Sequence, residues 1–368
     1  MDRTSLELQK DILEGLEDAF RALPAALGLS IDHRIHPPQL SPGGAYDAEL
    51  EISTGRSSAI LIVEIKRTVF PRDVRDLAWR LRSSGVGSST SAGQPIKPLV
   101  AAQSISEGAR QALIDMNIGY FDTGGSLYLI LPEAHVYIDR PPPKTARRHV
   151  RGLFSGKRAR VVHAILASNR DALSVKGIAE MAEVSPGTAS ETLTALERMG
   201  WLDATGSGPA KLRHLSDPSG LLDEWRKELD TKAQRLDKRR YYVGSINVAE
   251  LRDKLASACD ALQLDYALTS EIAAQHYAPH LSSLSRVTCR LAMNTLSDEL
   301  LKSLGAKQVT EGANLEIIDT KDAAEFIARQ RIDSAWYASP VQVYLDLLRG
   351  EGRSRDAAEH LRREVLRY

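Results

Sequence analysis

The sequence predicts an α/β chain of more than one domain, and three observations carry that expectation. Segments of period-two character, such as YDAELEI (46–52) and AILIVEIKRTV (59–69), interleave with segments of helical period, such as 6–23 and 72–82. Arg140-Pro-Pro-Pro is a stiff, extended joint that no helix or central strand accepts. The 368 residues are 43% hydrophobic and 26% charged, enough apolar mass for two or three cores. No apolar run of about 18 residues occurs, so no membrane span is expected. The acidic, amphipathic start is unlike a signal peptide. Cys259 and Cys289 are too few for a disulfide framework or a four-ligand zinc site, and a cytoplasmic protein is the simplest expectation.

Punctuation divides the chain into 1–140, 145–225, a helical connector at 226–242, and 243–368. No repeat is visible at periods of about 20–50 residues. Net charge is zero, but residues 140–240 hold 20 basic and 12 acidic side chains. Within them, 140–160 holds eight basic residues (Arg140, Lys144, Arg147, Arg148, Arg151, Lys157, Arg158, Arg160) and no acidic one. A basic middle between acidic flanks points to a polyanion partner, because each phosphate contact releases a counterion. A solvated linker is the bland alternative.

In the first segment, Leu6, Ile12, Leu13, Leu16, Phe20 and Leu23 mark an amphipathic helix. Two strands follow, 46–52 and 59–69, joined by the turn STGRSS. Next come a helix over 72–82 with Val74, Leu77, Ala78 and Leu81 inward, and the buried strand KPLVAAQSI. A short helix capped by Ser106 leads to the strands of GYFDTGGSLYLIL and VYI. The loop 83–95 is rich in Gly and Ser but lacks the GxxxxGK[ST] that a phosphate-cradling loop needs.

A hairpin turn centred between Gly55 and Arg56 sets Asp47 opposite Glu64, and Lys66, two residues on, shares Glu64's face. Two carboxylates and a lysine suit phosphodiester hydrolysis. In that reading Asp47 and Glu64 would hold Mg2+, to polarise phosphate and activate water, and Lys66 would orient that water or stabilise developing charge. The alternative is a surface Glu–Lys pair at a strand end. Asp47, Glu64-Ile65-Lys66 and the later Gly119-Tyr-Phe-Asp122-Thr-Gly-Gly-Ser126 resemble the PD-(D/E)XK nuclease-like superfamily. The likeness is to the version fused to winged-helix regulators, where a YxDxxGN turn closes the domain; Ser126 stands where Asn is usual. The resemblance implies a further acid on the first helix, for which Glu14 and Glu17 are the candidates.

From Ser155 the pattern becomes three helices. KRARVVHAILAS turns Val161, Val162, Ile165 and Leu166 inward, and His163 reads as a packed or surface histidine. Ser174 caps VKGIAEMAE, with Val175, Ile178, Ala179 and Ala182 inward. Ser185 caps a third helix with Pro186 at its first position and Ala189, Leu193 and Leu196 on its buried stripe. The last two helices form a helix-turn-helix, and WLDA and KLRHL flank TGSGP as a hairpin wing. The reader helix offers Ser185, Thr188, Ser190, Glu191 and Thr194. Phosphate contacts are expected from Lys211, Arg213 and His214 on the wing and from Arg147, Arg148, Arg151, Lys157, Arg158 and Arg160. A protein-contact module is the competing reading.

The last segment alternates strands and helices: DYALTSEIAAQHYAPHL, SRVTCRLAM, LEIID, and two final helices broken at Gly350–Gly352. Its ALTSxxAAxxYAP stretch and SPVQVYLDLLRGEGRSRDAAEHL resemble the C-terminal domain of AbiEi-type antitoxins, a degenerate nucleotidyltransferase-like α/β domain. The strand RVTCRLAM lacks the paired carboxylates a transferase needs, so no such activity is expected. Asp346, Glu351, Asp356 and Glu359 read as helix-surface charges. The resemblances together imply a bacterial regulator and antitoxin of a type IV toxin–antitoxin system, which binds repeats in double-stranded DNA near its own promoter as an autorepressor. A cognate toxin and a second copy of the chain are its expected partners. The alternative reading is a Mg2+-dependent DNA endonuclease using Asp47, Glu64 and Lys66, targeted by the wing-bearing module.

Overall fold

The computed structural model of the protein describes residues 3–23, 29–32, 46–54, 57–84, 93–131, 135–140, 152–168, 172–208, 211–232, 236–244, 246–280, 283–292, 296–320, 323–350 and 352–368. The chain forms two compact units, 1–150 with 195–200, and 151–194 with 201–368.

The first unit opens with helix α1 (Arg3–Arg21), followed by β1 (Leu29–Asp32), β2 (Ala48–Thr54) and β3 (Ser57–Val69). Helix α2 (Pro71–Ser83) leads to β4 (Ile96–Ile105), and α3 (Glu107–Asp115) to β5 (Gly119–Asp122). Strands β6 (Leu127–Ile130) and β7 (His135–Ile138) complete a sheet whose spatial order follows the sequence from β1 to β7. The central trio β3–β4–β5 is parallel and the flanking pairs antiparallel. Two successive crossovers of one hand set α2 and α3 on the same face. There Val74, Leu77, Leu81 and Leu113 bury against Ile62, Val100 and Tyr120. On the other face Ile12, Leu16 and Phe20 of α1 meet Leu61, Val63 and Phe121. Truncating any one of these side chains to Ala costs about 2–5 kcal/mol.

Local chemistry sets the element ends. Pro71 opens α2, and the Asp73 carboxylate accepts the Phe70 N–H at 2.9 Å. Ser106 caps α3 through the Ala109 N–H at 3.3 Å. The Asp122 turn is held by Arg110, which reaches the fully buried Asp122 at 2.6 Å, and Gly125 takes φ +90° there, where a side chain would be strained. Ser126 Oγ donates to the Arg140 carbonyl and accepts the Arg140 N–H, each at 3.0 Å.

The second unit begins with a single turn, Gly152–Phe154, then α4 (Gly156–Ala167), α5 (Val175–Met181) and α6 (Pro186–Arg198), whose last residues from Ala195 on are grouped with the first unit. A hairpin follows, β8 (Leu202–Thr205) and β9 (Leu212–Leu215), then α7 (Pro218–Lys232). The expected helical connector does not stay helical to its end: α7 stops at Lys232, and Lys238–Tyr242 is strand β10. Its RRYY run suits a pleated strand better than a helix. Onward run α8 (Val248–Ala261), β11 (Tyr266–Thr269), α9 (Ser270–Tyr277), β12 (Val287–Ala292), α10 (Ser297–Leu304), β13 (Lys307–Gln308) and β14 (Leu315–Thr320). The chain closes with β15 (Gln330–Ile332), β16 (Ala335–Tyr337), α11 (Pro340–Leu348) and α12 (Ser354–Leu361). The second sheet has the order β13-β10-β14-β12-β11-β16-β15.

Helix α11 is buried along Val341–Leu348. Asp346, expected on a helix surface, is therefore inside, fully buried. Arg290 of β12 grips its two oxygens at 2.8 and 2.5 Å, and Thr269 and Gln342 donate to the same carboxylate. Burial opposes its charge, but the guanidinium more than offsets that and holds the Asp346 carboxyl below its usual range. Asp356 is exposed and Glu359 pairs with Arg226, while Glu351 lies outside the described residues. Cys259 and Cys289 are buried free thiols.

Candidate nucleic-acid interface

The segment expected to carry a helix-turn-helix and wing holds three helices and a two-stranded hairpin. Its core is aromatic: Phe154 lies 5.5 Å from Trp225 and 6.3 Å from Trp201, ring to ring. Leu193 and Leu196 of α6 bury completely, as do Val161 and Val162 of α4; Val175 is only half-buried. His163 is packed rather than exposed: its Nε2 lies 2.6 Å from Ser339 Oγ, the cap of α11. Burial, with Arg290 nearby, pulls the His163 pKa down to about 4. The C-terminal Tyr368 hydroxyl also donates to the Leu166 carbonyl of α4 at 3.1 Å.

The turn between α5 and α6 spans 182–185, with Glu183 in the left-handed region at φ +50°. Arg160 spans from α4 to donate to the Glu183 carbonyl at 3.2 Å. Arg160, expected to grip phosphate, thus braces the turn. Ser185 Oγ accepts the Thr188 N–H at 3.2 Å and meets the Thr188 hydroxyl at 2.9 Å, fixing the first turn of α6. Ser185, Pro186 and Gly187 are exposed, with Thr188, Ser190 and Thr194 half-buried beside them. Thr194 donates to the Ser190 carbonyl at 2.8 Å, leaving its oxygen lone pairs as acceptors.

Cations flank this helix unequally. Lys157 is exposed, whereas Arg158 reaches Glu191 of α6 at 3.4 Å. On the hairpin, Lys211 and His214 are half-buried, and His214 Nε2 lies 3.4 Å from Thr205 Oγ1. Arg213, expected as a phosphate contact near the wing tip, is 4% exposed. Its backbone pairs on both sides, with Ala204 of β8 and with Leu173, so it occupies the middle of a small ladder and turns inward. Arg147, Arg148 and Arg151 lie outside the described residues.

The carboxylate–lysine set of the first unit does converge. Ala48 pairs with Val63, the register that sets Asp47 opposite Glu64. Lys66 Nζ lies 2.8 Å from Glu64 and 4.0 Å from Asp47, while Asp47 accepts the Ile65 N–H at 2.7 Å. Glu64 is 3% exposed, and burial pushes its pKa up against the pull of Lys66. The helix residue that reaches this set is Gln9, 3.4 Å from Asp47. Glu14 and Glu17, expected as the helix acid, instead pair with Lys10 and Arg21 along α1. Gln9 stands at i, i+3, i+4, i+7 with Ile12, Leu13 and Leu16, and a polar residue in an apolar stripe is the signal that finds it. At this set α1 supplies an amide rather than the expected acid, and Lys66 sits by both carboxylates as the expected water-orienting lysine would. Among the described residues, no group of three or more His, Cys, Asp or Glu is placed to hold a metal ion.

Residues 214–367 match the family model described as a transcriptional regulator, the AbiEi antitoxin of a type IV toxin–antitoxin system. The match runs from His214 in β9 to Arg367 and takes in the whole second sheet. No curated protein matches the chain. Among the described residues, no helix is long and apolar enough to cross a membrane.

Proposed function

We propose that the protein is a sequence-specific, double-stranded-DNA-binding transcriptional regulator of the antitoxin type that represses its own operon. In this reading 152–215 is a winged helix-turn-helix, α6 enters the major groove, and Ser185, Thr188, Ser190 and Thr194 face base edges. Lys157, Lys211 and His214 contact phosphates, and Arg160 and Arg213 hold the module's shape. The observation that carries the reading is the start of α6, where Ser185, Pro186 and Gly187 are exposed beside half-buried Thr188 and Ser190, with Lys157 exposed on α4. The antitoxin-family match over 214–367 supports it and points to a cognate toxin as protein partner.

In this reading the Asp47–Glu64–Lys66 set takes no hydrolytic role; the first unit is a nuclease-like fold retained as a scaffold, with Glu64 structural and its ion-pair partner Lys66, still one-third exposed, meeting phosphate. The test is fluorescence anisotropy with a duplex from the protein's own upstream region against a scrambled duplex, at physiological salt and without divalent metal. Binding of the upstream duplex is expected to be about a thousandfold or more tighter. Equal affinity for both overturns the proposal.

A further inference from the structure

A cleft of about 620 Å3 opens in the second unit, and five of its lining side chains are cationic: Lys238, Arg239, Arg240, Arg286 and Arg349, against three carboxylates. Its organising feature is Glu316, on central strand β14 and only 1% exposed. A charge buried in a central strand is costly unless something holds it. Here Lys238 and Arg286 each reach the carboxylate at 2.9 Å, and Arg240 approaches to 3.8 Å. Lys238 and Arg240 are two apart on β10 and so share a face, and Arg240 is the direct cross-strand partner of Glu316.

One carboxylate neutralises one cation, so three cations gathered on a single buried anion leave a local surplus of positive charge. Arg240 and Arg286 keep nearly half of their side chains exposed, so their remaining guanidinium donors stay accessible. Counted in full, the lining still sets five cations against three carboxylates, and although Arg239 also pairs with Asp319 at 2.9 Å, a positive surplus remains. The volume suits a ligand of nucleotide size. Convergence of the cations on one point, rather than along a stripe, suits adjacent phosphates of a small molecule better than a duplex backbone.

We propose that this cleft binds a free ligand bearing two or three adjacent phosphates, with Arg240 and Arg286 donating to the phosphate oxygens and Glu316 as the positioning residue that aligns them. The site is separate from the DNA-reading helices and stands independently of the regulator reading.

The test is isothermal titration calorimetry of the full chain with sodium tripolyphosphate and with ATP, repeated for Arg240→Ala/Arg286→Ala. Saturable binding of both probes is expected, weakened at least tenfold in the double variant and unchanged in Lys157→Ala. Should the double variant fail to fold, Arg240→Gln alone keeps the Lys238 and Arg286 contacts to Glu316 and is expected to weaken binding about threefold. The inference is overturned by no heat at millimolar tripolyphosphate, by equal affinity in the cleft variants, or by a loss in Lys157→Ala matching that in the double variant. It is equally overturned if the cleft variants lose only duplex DNA.

Discussion

His163 sits where two parts of the second unit meet, its imidazole held neutral against the Ser339 hydroxyl. Its folded pKa of about 4 is depressed below the ordinary value near 6.5. A depressed group contributes its full stability above the unfolded pKa, and that contribution is lost as pH falls from about 6.5 toward 4. At pH 5 the loss amounts to about 2 kcal/mol relative to pH 7.5. Denaturant unfolding of the wild type and His163→Gln at both pH values checks this; the variant is expected to lack that extra loss, and parallel pH dependence contradicts it. The sequence left His163 open between packed and surface, because its partner Ser339 lies 176 positions away. Asp346 was not legible either, because its partner Arg290 lies 56 positions away, and only the fold reveals that a charge in β12 calls for an anion from α11.

At the scale of elements, the apolar stripes of α2, α4 and α6 and the serine caps were readable because each depends on neighbours within one or two turns. The β2–β3 register was readable too, since a two-residue turn fixes every pair beyond it. The hairpin β8–β9 was harder. In Leu212-Arg213-His214-Leu215 no clean alternation marks the inward face, and the ladder with Leu173 that buries Arg213 joins residues 40 apart. Gln9 is legible only as an amide within the apolar stripe of α1, since its partner Asp47 lies 38 positions away. The caps carry their own prediction. Ser185→Ala removes the Thr188 N–H acceptor and is expected to lower stability by about 1 kcal/mol. It is also expected to weaken binding of the upstream duplex without changing the salt dependence, because Ser185 carries no charge. A change in salt slope would place Ser185 in a different role.

For the whole molecule, the sequence separated a basic middle from acidic flanks, and the fold distributes that middle unevenly. Arg160 and Arg213 hold structure, Arg158 meets Glu191, and Lys157 remains exposed on the outside of α4. Charge counting could not make that division, since a guanidinium is spent inside or outside according to which carbonyls and carboxylates the fold brings near. The second sheet carries the antitoxin-family match, and its buried Glu316 cluster, like Asp346, depends on contacts that no local pattern encodes.

The proposed DNA binding depends on phosphate contacts around α6, and the salt dependence of DNA affinity reads those contacts directly. Each lysine that releases a counterion contributes about 0.9 to the slope of log affinity against log salt. The slope for the upstream duplex is expected to shrink by about 2 in Lys157→Ala/Lys211→Ala, with circular dichroism unchanged. An unaltered slope in the folded double variant would put the DNA elsewhere on the protein.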